Sequence, residues 1–171
     1  MGQVTTYYLE MKSPAALRRK TESNGLSVRR AEIDQFQFNR FLYQLVGADW
    51  QWTGRNKWTD EKWRAWVGDE GLHTWAAYHK GTPAGFCEMR RQPGEGGDDV
   101  EIVQFGLAPA FIGKGFGGYF LTRMLEAAWE VPGACRVWLH TCTLDHPNAL
   151  NNYKARGLEV FKVETQEAGM A

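Results

Sequence analysis

The sequence predicts one α/β (α+β) domain, a central mixed twisted sheet of about six to seven strands flanked by about four helices. Three observations carry this. Apolar residues switch between a period of roughly two and a period of roughly 3.6 along the chain. The resulting order is strand, two helices, three strands, helix, strand, helix, strand, with one further strand at the N-terminus. A buried-type strand over 100–107 runs through a glycine-dense turn into a helix, which is the joint of an α/β unit. A chain of 171 residues is also long enough for one domain with a full core.

Each element has its own local signal. Residues 4–11 are rich in β-branched and aromatic types and read as an added edge strand. Residues 13–25 are polar and basic and link it to the core domain, expected over about 27–165 of a single domain spanning 1–171. Residues 26–33 form the first core strand. Asp34 then caps a helix whose stripe is Phe38, Phe41, Leu42, Leu45 and Val46. Thr59 is a second N-cap, ahead of Trp63, Trp66 and Val67 on one face. Strands over 72–79 and 84–92 meet at Lys80-Gly81-Thr82-Pro83, a hairpin signal. After a glycine-rich loop and the central strand, a helix over about 114–130 buries Phe120, Leu121, Met124, Leu125 and Ala128. A strand over 134–143, a helix over 147–156 with Pro147 near its start, and a strand over 158–163 complete the chain.

The turn Ile112-Gly113-Lys114-Gly115-Phe116-Gly117-Gly118 carries four glycines in six residues, where a chain reversal needs about one or two. Close approach of a ligand to the backbone accounts for the excess. The turn aims several N–H groups at one spot and the helix dipole adds positive charge, so a pyrophosphate is the matching ligand. Gly113, Gly115 and Gly118 also have dinucleotide-fingerprint spacing. However, about 20 positions on stand Val137, Trp138 and Leu139 in place of the acidic ribose ligand, and too little chain follows for a Rossmann sheet. No Lys-Ser or Lys-Thr pair closes the run as a triphosphate loop would require.

The strand end Leu107-Ala108-Pro109 followed by Gly115 and Gly117 resembles the acetyl-CoA signature of the GNAT superfamily, the Gcn5-related N-acetyltransferases. Ile112 occupies the place where that family prefers Gln or Arg. Residues 149–158, Ala-Leu-Asn-Asn-Tyr-Lys-Ala-Arg-Gly-Leu, resemble the family's second signature, with Leu158 for the usual Phe and His146 where Asn is common. The resemblance implies a GNAT fold and an enzyme moving acetyl from acetyl-CoA to a primary amine by direct attack. It implies cofactor contacts from Leu107, Ala108, Ile112, Gly113, Lys114, Gly115, Phe116, Gly117 and Gly118, with His146 and Asn148 near the pantetheine arm. The same resemblance makes Glu101 the general base, because it precedes Ile112 by eleven positions. Glu88, on the neighbouring strand, is the alternative. Tyr153 becomes the acid for the leaving thiol, and Gly106-Leu107 the place where the strand splays to present an N–H to the thioester carbonyl.

Tryptophans crowd the first two helices. Trp50 and Trp52 sit in a loop and offer an apolar or cation–π surface to an acceptor, with Asp49 as an amine anchor and His140 as a proton relay; plain packing is the competing reading. A small-molecule amine is the expected acceptor. A protein N-terminus or lysine, or a non-catalytic acyl-CoA-binding role, are the alternatives. With 20 basic and 20 acidic residues there is no broad electrostatic surface for nucleic acid. No apolar run approaches the roughly 18 residues of a membrane span, and residues 1–11 lack the pattern of a secretory signal. Three cysteines without paired spacing and four dispersed histidines predict no metal, no disulfide framework and a reduced cytoplasmic setting; the expected assembly is a monomer or homodimer.

Overall fold

The computed structural model describes residues 2–167; residue 1 and residues 168–171, the ends of the expected domain, lie outside them. Seven strands form one mixed sheet: β1 (Gln3–Met11), β2 (Leu26–Ala31), β3 (Leu72–His79), β4 (Thr82–Pro93), β5 (Asp98–Leu107), β6 (Ala134–Cys142) and β7 (Glu159–Glu167). The helices are α1 (Phe36–Gly47), α2 (Asp60–Val67), α3 (Gly117–Glu130) and α4 (Ala149–Ala155). The strand order across the sheet is β2-β3-β4-β5-β6-β1-β7. The mixed α/β class and the element order therefore match the sequence expectation.

Helices cover both faces. On one side Phe120, Leu121, Met124 and Leu125 of α3 are fully buried against Val100, Ile102, Val137 and Leu139 of the sheet. Each such side chain stabilises the fold by roughly 1.5–3 kcal/mol. On the other side α1 and α2 pack Leu42, Tyr43, Val46, Trp63 and Val67 onto Ala76 and Phe86. Thr59 caps α2 as expected, its hydroxyl accepting from the Lys62 amide at 3.2 Å. The β3–β4 hairpin turns through Lys80 and Gly81, both left-handed at φ 50° and 80°, as a tight primed turn requires.

Several expectations are corrected. The added N-terminal strand is not at an edge: β1 lies between β6 and β7, antiparallel to both. Asp34 is not the cap of α1; Gln35 is, with no side-chain cap bond. Phe41, placed on the buried stripe of α1, is 49% exposed.

The decisive feature is a fork. Among the described residues β5 and β6 are the one parallel pair, and their pairing runs only from Asp98–Ala134 to Glu101–Trp138. Beyond it β5 stays with β4 while β6 turns to β1. The sheet thus opens from Ile102 onward, well before the expected Gly106-Leu107. Gly106 has another reason to lack a side chain: a Cβ there would lie 2.6 Å from Val46 Cγ1 and 3.6 Å from Trp52 Cη2. A register shift sets Gln104 opposite Glu88 but Ile102 opposite Met89, so Val103 is an extra residue. That bulge puts Glu101 and Gln104 on the same face, the one covered by α1 and α2.

Candidate active site

The fork opens into a cavity of about 460 Å³. Its floor is the unpaired half of β5, residues 102–107, and one side is Leu139, His140 and Cys142 of β6. The glycine turn and α4 close one end, and the segment from Trp50 to Gly54 with Tyr43 and Val46 of α1 closes the other.

The four glycines of the turn have distinct reasons. Gly113 and Gly115 are left-handed at φ +76° and +82°, so the backbone itself calls for them. At Gly118 a Cβ would meet Lys20 Cδ at 2.6 Å and Arg156 Nη1 at 2.8 Å, so a side chain there would displace these two cations from the turn. Gly117 has neither reason: its nearest neighbours would be Asn152 Nδ2 at 3.6 Å and Leu107 Cδ1 at 3.9 Å, ordinary contacts. What remains is an open face along the backbone, turned toward the cavity. Helix α3 starts there with no side-chain cap, and its first internal bond is Phe120 N–H to Phe116 O at 3.0 Å. The N–H groups of 113 and 115–119 find no acceptor among the described residues. Beside them Arg156 buries its Nε and Nη1 without an acceptor, against Lys20. Free amides, an unpartnered guanidinium and a lysine around a glycine cradle fit the phosphates of acetyl-CoA. Asn24 and Asn152 brace the turn from behind by donating to the Gly115 and Gly117 carbonyls at 3.2 and 3.1 Å.

Tyr153 of α4 lies at the other side of the fork, 7% exposed, its ring 6.1 Å from that of Phe105. Its hydroxyl makes no hydrogen bond with a described residue. Burial pushes the phenol far above its ordinary value of 10.0, and the nearby Asp145 and Cys87 push in the same direction. The group holds its proton throughout the neutral range. His146 accepts from the Asn148 amide at Nδ1, 3.0 Å, which leaves Nε2 as its N–H. Its ring meets Trp50 edge-on at 5.1 Å, joining two walls of the cavity. Asp145 accepts from the Thr141 hydroxyl at 2.6 Å and the Cys142 amide at 3.0 Å.

Among the residues expected at the site, Leu107, Ile112, Gly113, Gly115, Phe116, Gly117 and Gly118 line the cavity. So do Trp50, Trp52, His140, His146, Asn148 and Tyr153. Five do not. Ala108 is buried with its amide bonded to Ala84 O, and Lys114 and Asp49 are exposed away from the lining. Glu101 stands at the last paired position of β5, before the fork, and accepts from Gln92 Nε2 at 2.8 Å.

Glu88 is corrected outright as an acceptor contact. It is 0% exposed and belongs to a sealed ion pair with Arg55 Nη1, which also lies 3.2 Å from its second oxygen. Trp66 Nε1 donates to it at 2.6 Å and Asn39 Nδ2 at 3.5 Å. The Arg55 guanidinium lies within 5.5 Å of four ring centroids, those of Tyr43, Trp58, Trp63 and Trp66. Trp63 and Trp66 thus serve packing, as does the ring of Tyr43 on its inner side. Sequence reasoning also missed Gln104, Thr53 and Asn152. Only the last carried a signal, as the neighbour of Tyr153 in a helix already assigned to the cofactor.

Comparison with known proteins agrees with this geometry. A model of the acetyltransferase (GNAT) family matches residues 39–158. An aminoglycoside acetyltransferase, meta-AAC0020, from an uncultured soil metagenomic sample is 16% identical, with 78% of this chain and 88% of that chain covered at a TM-score of 0.64. A GCN5-related N-acetyltransferase from Sphaerobacter thermophilus is 15% identical over 96% of this chain and 51% of that one, at 0.67. A tandem GNAT protein from the clavulanic acid biosynthesis pathway is 16% identical over 98% and 54%, at 0.63. The chain therefore spans about half the length of the last two. These likenesses show the fold. No curated protein sequence matches the chain.

Proposed function

The chain belongs to the GNAT acetyltransferase family, and from that premise we propose that it moves acetyl from acetyl-CoA to the primary amine of a small molecule. The observation that carries this is the pairing, across one fork, of a glycine cradle open at Gly117 with a buried, protonated, unpartnered tyrosine hydroxyl. The amides of residues 115–119, with Lys20 and Arg156 beside them, hold the phosphates. Bound there, acetyl-CoA supplies an activated thioester. Backbone groups of β5 past Glu101, no longer paired with β6, are free to polarise its carbonyl. Tyr153 keeps its proton at Oη for the leaving thiolate. Glu101, on the acceptor-facing side and oriented by Gln92, takes the amine proton through an intervening water. His140, which lines the cavity directly, is the competing acceptor of that proton.

Two expected results test this. Acetyl-CoA at millimolar concentration raises the melting temperature, since a ligand bound only by the native state stabilises it. Gly117→Ala, which the fold tolerates in space, weakens acetyl-CoA binding by about tenfold or more because the added methyl stands in the ligand's approach. No thermal shift in the wild type ends the cofactor assignment. For the base, Glu101→Gln lowers kcat by about 10² or more at pH 7, with acetyl-CoA affinity unchanged and part of the loss recovered at high pH, where more of the amine is already neutral. Near wild-type turnover would move the role to His140.

A further inference from the structure

The acceptor end of the cavity has an unusual charge balance. Among the described residues lining the cavity, no lysine or arginine occurs and the one carboxylate is Asp145. Its Oδ2 is already engaged by the Thr141 hydroxyl and the Cys142 amide. The acceptor wall consists of the rings of Tyr43, Trp50 and Trp52 with the neutral polar groups of Gln51, Thr53 and Gln104. Tyr43 backs Trp52 in a tilted contact with centroids 5.5 Å apart, and Trp52 is clamped between Gly47 and Gly106, where Cβ atoms would lie 2.4 and 3.6 Å from its nearest atoms. The aromatic surface is therefore fixed in place.

Behind this wall lies the buried carboxylate of Glu88, and the chain supplies its own cation to it. Arg55 follows the lining residue Gly54 and fills the box of Glu88 and four rings. That box indicates what a permanent cation needs here: a buried carboxylate and several aromatic faces. The wall of rings carries no carboxylate, and Asp145, the one lining carboxylate among the described residues, stands apart from it beside β6, its Oδ2 held by Thr141 and Cys142.

We propose, resting on the acetyltransferase reading above, that the acceptor is a monoamine carried on a flat aromatic or apolar body, and that polycationic amines are rejected. A reacting amine must lose its charge before attack, so one amine needs no standing counter-charge. Every further ammonium drawn into the cavity does need one, and burying it unpaired costs several kcal/mol, on the order of the whole cation–π gain from the rings. A flat body instead packs on the part-exposed rings of Trp50 and Trp52 and removes apolar surface from water. This separates the chain by substrate from its aminoglycoside-modifying structural neighbours while the fold is shared.

The test measures thiol release from acetyl-CoA with tryptamine and phenethylamine on one side and spermidine and kanamycin on the other. The aryl monoamines are expected to exceed both polycations in kcat/KM by about 100-fold or more. Trp52→Ala should raise KM for tryptamine by about tenfold, with the acetyl-CoA-induced thermal shift intact as proof of folding. Thr53→Glu, a carboxylate added at an exposed wall position, should improve spermidine by about tenfold relative to tryptamine. A polycation within about tenfold of the aryl monoamines overturns the proposal. So does failure of every aryl monoamine while acetyl-CoA still stabilises the protein, an outcome that leaves the cofactor assignment standing. Loss of acetyl-CoA stabilisation itself would instead remove the acetyltransferase reading and this inference with it.

Discussion

Replacing Tyr153 by Phe is expected to lower kcat by about 10² or more while leaving acetyl-CoA affinity and the fold nearly unchanged. The hydroxyl makes no hydrogen bond with a described residue, and the ring keeps its packing against Phe105, so stability should change by less than about 1 kcal/mol. The pH behaviour follows from the same burial. Because burial raises the Tyr153 pKa above its unfolded value near 10.0, the buried phenol stabilises nothing extra below that pH beyond staying neutral in both states. Above it the unfolded chain ionises and the folded one does not, so stability falls as pH rises past 10. That alkaline loss should be smaller in the Phe variant. A Phe variant with wild-type turnover would show that the leaving thiolate is protonated by solvent and would return Tyr153 to a packing role.

Much of the fold was legible because periodicity reports which face of an element is buried. The stripe Phe120, Leu121, Met124 and Leu125 named α3 and its inward side, and Thr59 named the start of α2 through a bond to the Lys62 amide. Periodicity does not report which edge of a strand is paired. Residues 3–11 therefore read as a strand whose insertion between β6 and β7 could not be foreseen. The same gap hid the fork. Gly106 drew attention as an irregular position, whereas the opening is set by where β6 leaves β5 for β1, a matter of register between distant segments. Glycine chemistry was more informative at the turn, since excess glycines mark a ligand's approach, although only the backbone angles and contacts of the folded turn separate Gly117 from its neighbours. Buried charge was the least visible. Arg55 and Glu88 lie 33 positions apart, so nothing in the sequence pairs them, and Glu88 alone reads as a carboxylate available to the site. Trp63 and Trp66 read as one packed helical face, but nothing in their spacing points to the guanidinium that they enclose with Trp58.

The second large effect concerns that ion pair. Arg55→Met keeps an unbranched stem among Tyr43, Trp58, Trp63 and Trp66 but strands Glu88, which is 0% exposed, without its cation. Breaking a buried pair by removing one partner costs about 3–5 kcal/mol. In a chain of this size that lowers the melting temperature by roughly 2–4 °C for each kcal/mol. Glu88→Gln alone should cost a comparable amount, because Arg55 would then be the stranded charge. The double variant should recover much of the loss, as a neutral amide can still accept from Trp66 Nε1 and donate to the Asn39 and Thr74 cluster behind it. Denaturant melts of the four proteins form a cycle. A coupling near zero would mean that the guanidinium is held by the rings alone. A large coupling, together with a raised acceptor KM and unchanged acetyl-CoA affinity in the single variants, would tie the loop bearing Trp50, Trp52 and Thr53 to the sheet through this pair. The acceptor wall would then owe its shape to two charges that never touch the acceptor.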